Sequence, residues 1–287
     1  MYSCRCSLLG VFDIYINKKD FELKTPKNMQ ERHTNRMLYF KELAITCKHY
    51  FIPYIRRWHK IEAGMNILEI GCGEGGNLLP FAEMGCHTTG VDIAVCRIEE
   101  AKHYFDHCHA EGEFIAEDIF RLESLRRRYD IVICHDVIEH IDDKKALLLK
   151  ISSYLKADGM AFISFPAWQM PFGGHQQICK SRVLSHLPFV HLLPARLYEA
   201  LIKLFGESTQ CADELLSIKQ TRITIEQFEQ VVSTTNLLVR HRLLWLVNPH
   251  YEVKFGLHPC RLPYVLSRIP YLRDFFSSSC FYLLTTK

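Results

Sequence analysis

The most informative stretch of this 287-residue chain is Ile67-Leu68-Glu69-Ile70-Gly71-Cys72-Gly73-Glu74-Gly75-Gly76-Asn77. It has the pattern of a short apolar strand, a tight glycine turn and the start of a helix. Glycines in such a turn allow positive φ angles, and they let a ligand approach the backbone because no Cβ stands in the way. Backbone N–H groups at the start of a helix favour an anionic or polar ligand group. The stretch therefore predicts a ligand site at the junction of a strand and a helix.

Short apolar runs and helical patterns alternate on both sides of this stretch. The runs predict strands at 66–70, 88–92, 114–116, 129–134 and 160–165, followed by two more at 237–247 and 280–285. Helical periodicity fills the intervals 77–84, 94–107 and 144–156. Strands that alternate with helices of this length form βαβ units, so the predicted fold class is α/β with a doubly wound, mainly parallel sheet.

The alternation is interrupted in two places, which divide the chain into segments. Residues 1–60 are predicted to form an N-terminal helical segment, whose apolar periodicity from 35 to 58 is broken near Pro53. Residues 61–287 then form the main domain. Within it, residues 166–220 are rich in proline and contain a Gly-Gly pair, so they predict a helical lid inserted after strand five.

Composition argues against several classes of protein. The formal net charge is only +3 and no basic tract is present, so we expect no nucleic-acid partner. Twelve cysteines occur without a C-x-x-C pair, which argues against a zinc ribbon or a disulfide framework and favours free thiols in a reducing cytoplasm. No run approaches the roughly 20 apolar residues that a transmembrane helix needs, and the N-terminus lacks a signal-peptide pattern. The predicted location is therefore the cytoplasm.

The glycine turn fits two classes of cofactor. Gly71, Gly73 and Gly76 satisfy the dinucleotide fingerprint G-x-G-x-x-G, with Asp92 about 20 residues further on, which would indicate a nicotinamide-dependent oxidoreductase. Glu69 at the end of the strand favours a second class, cofactors that carry a sulfonium or ammonium group, because a carboxylate attracts such a cation and repels a pyrophosphate. A protein that binds its cofactor without turnover is a third alternative.

The turn also resembles motif I of class I S-adenosylmethionine-dependent methyltransferases, through the spacing Glu69-x-Gly71-x-Gly73-x-Gly75. Further segments resemble later motifs of this family in the family's order: Gly90-Val91-Asp92-Ile93, Glu117-Asp118-Ile119 and the run from 129 to 140. The segment 155–160 resembles the turn into strand five, with Asp158 in place of a glycine. The resemblance covers about residues 66–165.

The resemblance implies a seven-stranded sheet whose last strand is antiparallel, with S-adenosylmethionine as the cofactor. It implies that Glu69 and Gly71 lie near the methionine moiety, that Asp92 binds the ribose, and that Asp118 with Ile119 frames the adenine. The full predicted cofactor set is Glu69, Gly71, Cys72, Gly73, Gly75, Asn77, Asp92, Ile93, Asp118, Ile119, His135 and Asp136. Structural roles compete with these, because an acid at a strand end commonly caps a helix and Gly76 could serve close packing alone.

The resemblance also implies methyl transfer, which we expect to be O-methylation of a small-molecule, glycan or lipid-linked acceptor. A phenol or alcohol must lose its proton during the reaction, and histidine is the commonest base. The candidates are His175, on a loop beyond strand five, with His140 and His135 at the rim of the cleft. The aromatic insertion could close over the acceptor or touch a membrane surface peripherally.

A metal site is the weaker interpretation of one further pattern. Asp136, Glu139 and His140 have i, i+3, i+4 spacing, so a helical turn would put them on one face. The pattern is similar to the E-x-x-E-H metal site of some quinone O-methyltransferases and small-RNA 2′-O-methyltransferases, with Asp136 in place of the first Glu. We expect no metal here, and instead expect Glu139 and His140 to hydrogen-bond the helix start and shape the floor of the pocket.

Overall fold

The strand predicted before the glycine turn is β1, Asn66–Ile70, and it lies inside an eight-stranded sheet. The structure, a computed structural model, describes residues 35–287. The other strands are β2 (His87–Asp92), β3 (Glu113–Ala116), β4 (Tyr129–His135), β5 (Leu155–Phe165), β6 (Leu237–Val247), β7 (Cys260–Arg261) and β8 (Ser279–Thr286). Their order across the sheet is β3-β2-β1-β4-β5-β8-β6-β7.

The directions of the strands follow the doubly wound pattern. β1 to β5 pair with their neighbours in parallel, whereas β8 is antiparallel to both β5 and β6. β1 lies between β2 and β4, so the strand order reverses at this point. Open α/β sheets bind ligands in the crevice beyond the carboxyl ends of the strands at such a reversal. The predicted α/β class, the parallel sheet and the antiparallel final strand are confirmed.

The predicted number of seven strands is wrong by one. β7 adds two residues at the edge of the sheet, where it pairs with Trp245 and Val247 of β6. Two residues are too few to give the period-2 pattern by which a strand is detected in a sequence. β5 also begins at Leu155 rather than at Met160, because Leu155 pairs with Tyr129 before the register shifts.

Helices cover both faces of the sheet. In residues 35–287 the α-helices are α1 (Arg36–Thr46), α2 (Ile52–Arg56), α3 (Leu79–Glu83), α4 (Val95–His107), α5 (Lys144–Tyr154), α6 (Arg182–His186), α7 (Ala195–Leu204), α8 (Thr209–Thr221), α9 (Ile225–Ser233), α10 (His250–Phe255), α11 (Tyr264–Ser267) and α12 (Leu272–Phe275). Within this part of the chain, no helix combines the length and the apolar character that crossing a membrane requires.

Alternate residues of the central strands supply two separate hydrophobic cores. Leu68 and Val132 pack with α5 and α9 on one face, whereas Ile67 and Ile131 pack with α1, α2 and α4 on the other. Successive side chains of a strand point to opposite faces, so a strand that is buried on both faces reads as a continuous apolar run. This burial explains why β1 and β4 were recognisable from the sequence.

The N-terminal helical segment is continuous where a break was predicted. α1 leads through a π-helical turn, Cys47–Phe51, directly into α2, and the N–H of Ile52 donates to the carbonyl of Cys47. The wider turn accommodates Pro53, which has no N–H to donate, so the prediction of a break at Pro53 is wrong. Residues 1–34 of the predicted 1–60 segment lie outside the described residues.

α1 passes very close to the glycine turn at Gly76. A Cβ on Gly76 would lie 2.5 Å from the carbonyl oxygen of Phe40 and 2.8 Å from Cβ of Leu43. Because the first of these atoms is backbone, we expect Gly76→Ala to lower the free energy of unfolding by about 1–3 kcal/mol. Urea denaturation followed by circular dichroism measures this change. Leu204→Ala, at a residue that is 80% exposed, is the control and should stay within about 0.5 kcal/mol of the parent.

Residues 166–220, predicted as an insertion, connect β5 to α9 through a series of helices. α6, α7 and α8 belong to this segment. It has a small hydrophobic core of its own, formed by Cys179, Leu184, Val190, Tyr198, Ile202, Ala212 and Leu215. The hydroxyl of Thr221, at the end of α8, donates to the carbonyl of Glu139 at 2.6 Å. The insertion is therefore held against the turn that follows β4, at the carboxyl edge of the sheet.

Candidate active site

The glycine turn after β1 is held between β2 and the turn that follows β4. The N–H groups of Gly71 and Cys72 both donate to the carbonyl of Val91, at 2.7 and 3.1 Å. Gly71 has a φ of +69°, and a Cβ there would lie 2.4 Å from Cγ2 of Val137. Only glycine both adopts this positive φ angle without strain and leaves the space that Val137 occupies. Positive φ angles also occur at the other two glycines predicted to bind the cofactor, Gly73 and Gly75.

Glu69 is a buried carboxyl at the end of β1, and only one of its oxygens is satisfied. Oε1 accepts a hydrogen bond from Nδ2 of Asn77 at 2.7 Å, whereas Oε2 has no hydrogen-bond partner among residues 35–287. Burial raises the pKa of Glu69 to about 8; the charge of Asp92 acts in the same direction, and the bond from Asn77 opposes it. A buried acceptor without a partner is costly. The site is therefore suited to a cationic group.

Asp92 joins the end of β2 to the glycine turn. Its Oδ2 accepts from the N–H of Gly73 at 2.9 Å, and its Oδ1 accepts from the N–H of Ala94 at 2.8 Å. Asp92 thus has a structural role, and each oxygen retains a further lone pair for a ligand hydroxyl. The neighbouring Ile93 is 75% exposed, which leaves an apolar side chain free beside this carboxylate.

The residues predicted around the adenine are occupied by structural contacts. Asp118 caps the 3-10 turn Ile119–Arg121, because its Oδ1 accepts from the N–H of Phe120 at 2.9 Å. Ile119 is buried in the hydrophobic core on one face of the sheet. The competing structural role of a strand-end acid is therefore the one observed at Asp118.

His135 and Asp136 lie at the carboxyl end of β4. Nδ1 of His135 is hydrogen-bonded to Oγ of Ser164, and its ring meets that of Phe51 edge to face. Asp136 has a φ of +52°, and its exposed carboxylate is 3.5 Å from Nδ1 of His135. The imidazole of His135 is therefore fixed in orientation at the rim of the crevice, with a carboxylate beside it.

Two tyrosines, Tyr39 on α1 and Tyr251 on α10, lie near Asp136. Burial is the main cause of a raised pKa in both phenols, and the charge of Asp136 adds to it, so the pKa of Tyr251 reaches about 12. Both residues come from elements far away in the sequence, and no motif spacing connects them with the glycine turn.

Glu139, His140 and His175 form a second cluster, in which one ligand atom from each lies within 4.8 Å of the others. The imidazoles of His140 and His175 meet edge to face, with 5.3 Å between their centroids. Asp136 is not part of this cluster. The predicted helical face does not form, because Ile138–His140 is a single 3-10 turn and Asp136 has a left-handed backbone. His175, predicted as a base, takes the third position instead.

Burial shifts the pKa of each titratable group in the cluster in the direction that favours its uncharged form. Both carboxyl oxygens of Glu139 are buried without a hydrogen-bond partner among the described residues, and burial with Asp136 nearby raises the pKa of Glu139 well above its usual range. Partial burial lowers the pKa of His140, and burial together with His140 and His191 lowers the pKa of His175 to about 4. Neutral imidazoles have a free lone pair, and a cation would favour the ionised carboxylate. One carboxylate and two imidazoles could hold a divalent metal ion.

Buried polar side chains fix the backbone around this cluster. Thr221 supports the turn that carries Glu139, through the 2.6 Å hydrogen bond to its carbonyl. Gln176, next to His175, is fully buried and its Nε2 donates to the carbonyls of Pro171 and Leu187, at 3.0 and 3.1 Å. The loop that brings His175 to the turn after β4 is therefore rigidly supported.

Comparison with known proteins identifies the family to which this geometry belongs. The sequence profile of a methyltransferase domain matches residues 47–205, more than half of the chain. The chain belongs to the methyltransferase domain family. The matched region contains the glycine turn, Asp92 and the cluster of Glu139, His140 and His175. The prediction of a class I S-adenosylmethionine-dependent methyltransferase is confirmed at the level of the family.

Curated relatives and solved structures agree with this assignment. Over 111 residues the chain is 35% identical to a ubiquinone biosynthesis O-methyltransferase of Rickettsia akari, covering 39% of this chain and 42% of that protein. Over 153 residues it is 29% identical to the enzyme of the same name from Rickettsia conorii, covering 46% and 53%. The chain thus spans about half the length of these relatives. The plantazolicin methyltransferase BpumL, solved with S-adenosylhomocysteine, has the same fold, with a TM-score of 0.51, 16% identity, and 90% and 88% of the two chains covered.

The residues at the glycine turn fit the cofactor of this family. The unpartnered Oε2 of Glu69 can accept from an ammonium group or lie near a sulfonium, and the lone pairs that Asp92 retains suit ribose hydroxyls. The glycine backbone leaves room that a Cβ would fill. A dinucleotide pyrophosphate would instead meet the carboxyl of Glu69, so the nicotinamide alternative fits the turn less well.

Proposed function

We propose that this chain transfers the methyl group of S-adenosylmethionine to a hydroxyl oxygen, with a phenol on a small or lipid-linked molecule as the acceptor. The buried Glu69 carboxyl with an unpartnered oxygen beside the glycine turn carries the cofactor half of the proposal. The name of the Rickettsia relatives, ubiquinone biosynthesis O-methyltransferase, supports an oxygen acceptor. A glycan acceptor has no support of this kind.

S-adenosylmethionine, when bound, supplies an electrophilic methyl group. Glu69 and Asp92 bind and orient the cofactor by charge and by hydrogen bonds, and much of the catalysis comes from this positioning. The acceptor oxygen gains the methyl group and loses its proton, so the site must make that proton easier to remove.

We propose that Glu139, His140 and His175 hold a divalent cation for this purpose, in place of the histidine base considered from the sequence. A base works best when its pKa is near the operating pH, and the pKa of His175 near 4 makes its imidazole a weak base at neutral pH. The same low pKa keeps the imidazole unprotonated and suited to a metal. A cation held by these three residues would supply Lewis acidity and would lower the pKa of an acceptor hydroxyl.

We further propose that residues 166–220 act as the lid over the acceptor, and that residues 61–287 form the methyltransferase domain preceded by the segment 1–60. The position of His175 within the insertion supports the lid, because this residue reaches the cluster at the carboxyl edge of the sheet. The insertion would then cover an acceptor that is bound beside the cluster.

Cofactor binding is the first test of the proposed function. Calorimetric titration with S-adenosylmethionine, S-adenosylhomocysteine and NAD should show binding of the first two only. Asp92→Ala should weaken both by at least about tenfold, because charge-assisted hydrogen bonds to the ribose are lost. Asp106→Ala, on the exposed face of α4, is the matched control and should bind like the parent. Binding of NAD alone would overturn the proposal in favour of an oxidoreductase. If none of the three ligands binds, a non-catalytic protein would be favoured.

A further inference from the structure

A second pocket of about 740 Å³ lies along β6, and none of its lining residues belongs to the candidate active site. Five of these lining residues are arginines: Arg57, Arg240, Arg242, Arg261 and Arg268. Glu229 is the acidic residue among them. The local excess of positive charge is therefore larger than the formal charge of +3 carried by the whole chain.

Glu229 is already neutralised by other contacts. It accepts hydrogen bonds from Arg242 at 2.6 Å, from Arg273 at 2.8 Å and from the hydroxyl of Tyr282 at 2.9 Å. The other four arginines that line the pocket have no carboxylate partner within residues 35–287. A small anion could neutralise these four guanidinium groups and accept their hydrogen bonds.

Aromatic rings position three of these four guanidinium groups without neutralising them. Arg240 lies 5.2 Å from the ring centroid of Trp58, Arg261 lies 5.9 Å from that of Trp245, and Arg268 lies 4.9 Å from that of Tyr264. Such cation–π contacts hold the planar groups in place and leave N–H donors available, although Nη2 of Arg268 also donates to the hydroxyl of Tyr264 at 2.6 Å. Burial lowers the pKa of Arg261 and the charge of Arg57 adds to this effect, so the positive charges that line the pocket destabilise one another.

Protection of a sheet edge is the competing explanation for the arginines on β6. β7 covers β6 only at Trp245 and Val247, and charged side chains on an open edge prevent pairing with another chain. Arg57 follows α2, however, and Arg268 follows α11, so the positive groups converge from separate elements onto one concavity. Edge protection requires protruding charges on the strand itself and gives no reason for this convergence.

We infer that this pocket is a second binding site, which takes a small ligand bearing a phosphate or diphosphate group. Guanidinium groups bind phosphate oxygens through paired N–H donors, and several converging arginines favour more than one negative charge. The rings of Trp58 and Tyr264, which are 39% and 71% exposed, offer a surface for the apolar part of such a ligand. The volume lies in the range of small-molecule sites.

Titration with inorganic diphosphate at low salt tests this inference on the full chain. The parent protein should bind, and the double variant Arg57→Gln with Arg261→Gln should bind at least about tenfold more weakly. Arg56→Gln is the matched control, because Arg56 is the last residue of α2, next to Arg57 but outside the pocket. The affinity for S-adenosylmethionine and the melting temperature report whether the variants are folded, and Arg268→Gln replaces the double variant if that one does not fold.

Vesicles distinguish the two sources of such a phosphate. Phosphatidylcholine vesicles with and without phosphatidic acid are sedimented with the protein. Arginine-dependent binding to the acidic vesicles indicates a lipid headgroup, and arginine-dependent binding of free diphosphate alone indicates a soluble ligand. The inference is overturned if the parent binds neither probe, or if the pocket variants and Arg56→Gln behave alike.

Discussion

In the double variant Glu139→Gln with His175→Ala, methyl transfer should fall by on the order of a hundredfold or more, while S-adenosylmethionine binds as in the parent. The loss is large because a cation that ionises the acceptor hydroxyl contributes several kcal/mol to the reaction. The cofactor site is unaffected because neither residue contacts Glu69, Asn77 or Asp92 in the hydrogen bonds described above. Turnover is measured with labelled cofactor and a panel of phenols.

Cobalt binding gives a readout that does not depend on turnover. The parent should develop visible Co²⁺ absorption on titration, and the double variant should not, because one carboxylate and one imidazole are lost from the site. Chelation should abolish turnover of the parent, and Mg²⁺, Mn²⁺ or Zn²⁺ should restore it to different extents. His103→Ala is the matched control, because His103 is an exposed histidine on α4, and it should match the parent in both assays.

A base mechanism would give a different pattern of results. Turnover would then resist chelation and would fall when the histidines are replaced. Addition of Co²⁺ would leave the visible absorption spectrum unchanged. In that case His140 and His175 would act as proton acceptors, as the sequence first indicated, and the proposed metal site would be wrong.

The sequence predicted the fold well where burial dictates the residues. β1 and β4 lie in the centre of the sheet and are apolar on both faces, so their patterns are strong. β7 was missed because a strand of two residues is too short to show the period-2 alternation of side chains. The π-helical turn before Pro53 was missed because a proline in a helical pattern predicts a break, whereas here the widened turn accommodates it and the helix continues.

The sequence predicted the site residues that lie within one segment of the chain, but not those that packing brings together from distant elements. Glu69, Gly71 and Asp92 belong to segments joined by a βαβ unit, so their spacing carries the geometry. Tyr39, Tyr251 and the pairing of His175 with His140 depend on how distant elements pack. The grouping of Asp136 with Glu139 and His140 was wrong because it assumed an α-helical turn, whereas residues Ile138–His140 form a 3-10 turn.

The affinity for S-adenosylmethionine should rise with pH in a way that depends on Glu69. Burial raises the pKa of this carboxyl to about 8, so at pH 6 it is protonated in the free protein. A cationic ligand prefers the ionised form, and binding below the pKa must therefore expel a proton. Between pH 6 and about 8 the binding constant should increase by about tenfold or more, and above the pKa the contribution of Glu69 should level off.

Glu69→Gln separates this effect from the titration of the ligand itself. The sulfonium of the cofactor keeps its charge at every pH, whereas the α-amino group loses its proton near pH 8, so the parent and the variant are compared below pH 8, where both ligand charges are present. The glutamine side chain of the variant cannot ionise, but its oxygen can still accept from Asn77, so the ratio of the parent and variant binding constants reports the carboxylate alone. We expect this ratio to be small at pH 6 and to grow by about tenfold as the pH approaches 8. Glu83→Gln, an exposed carboxyl on α3, should follow the parent throughout. Parallel pH profiles for the parent and Glu69→Gln would show that the buried carboxyl does not face the cationic part of the cofactor.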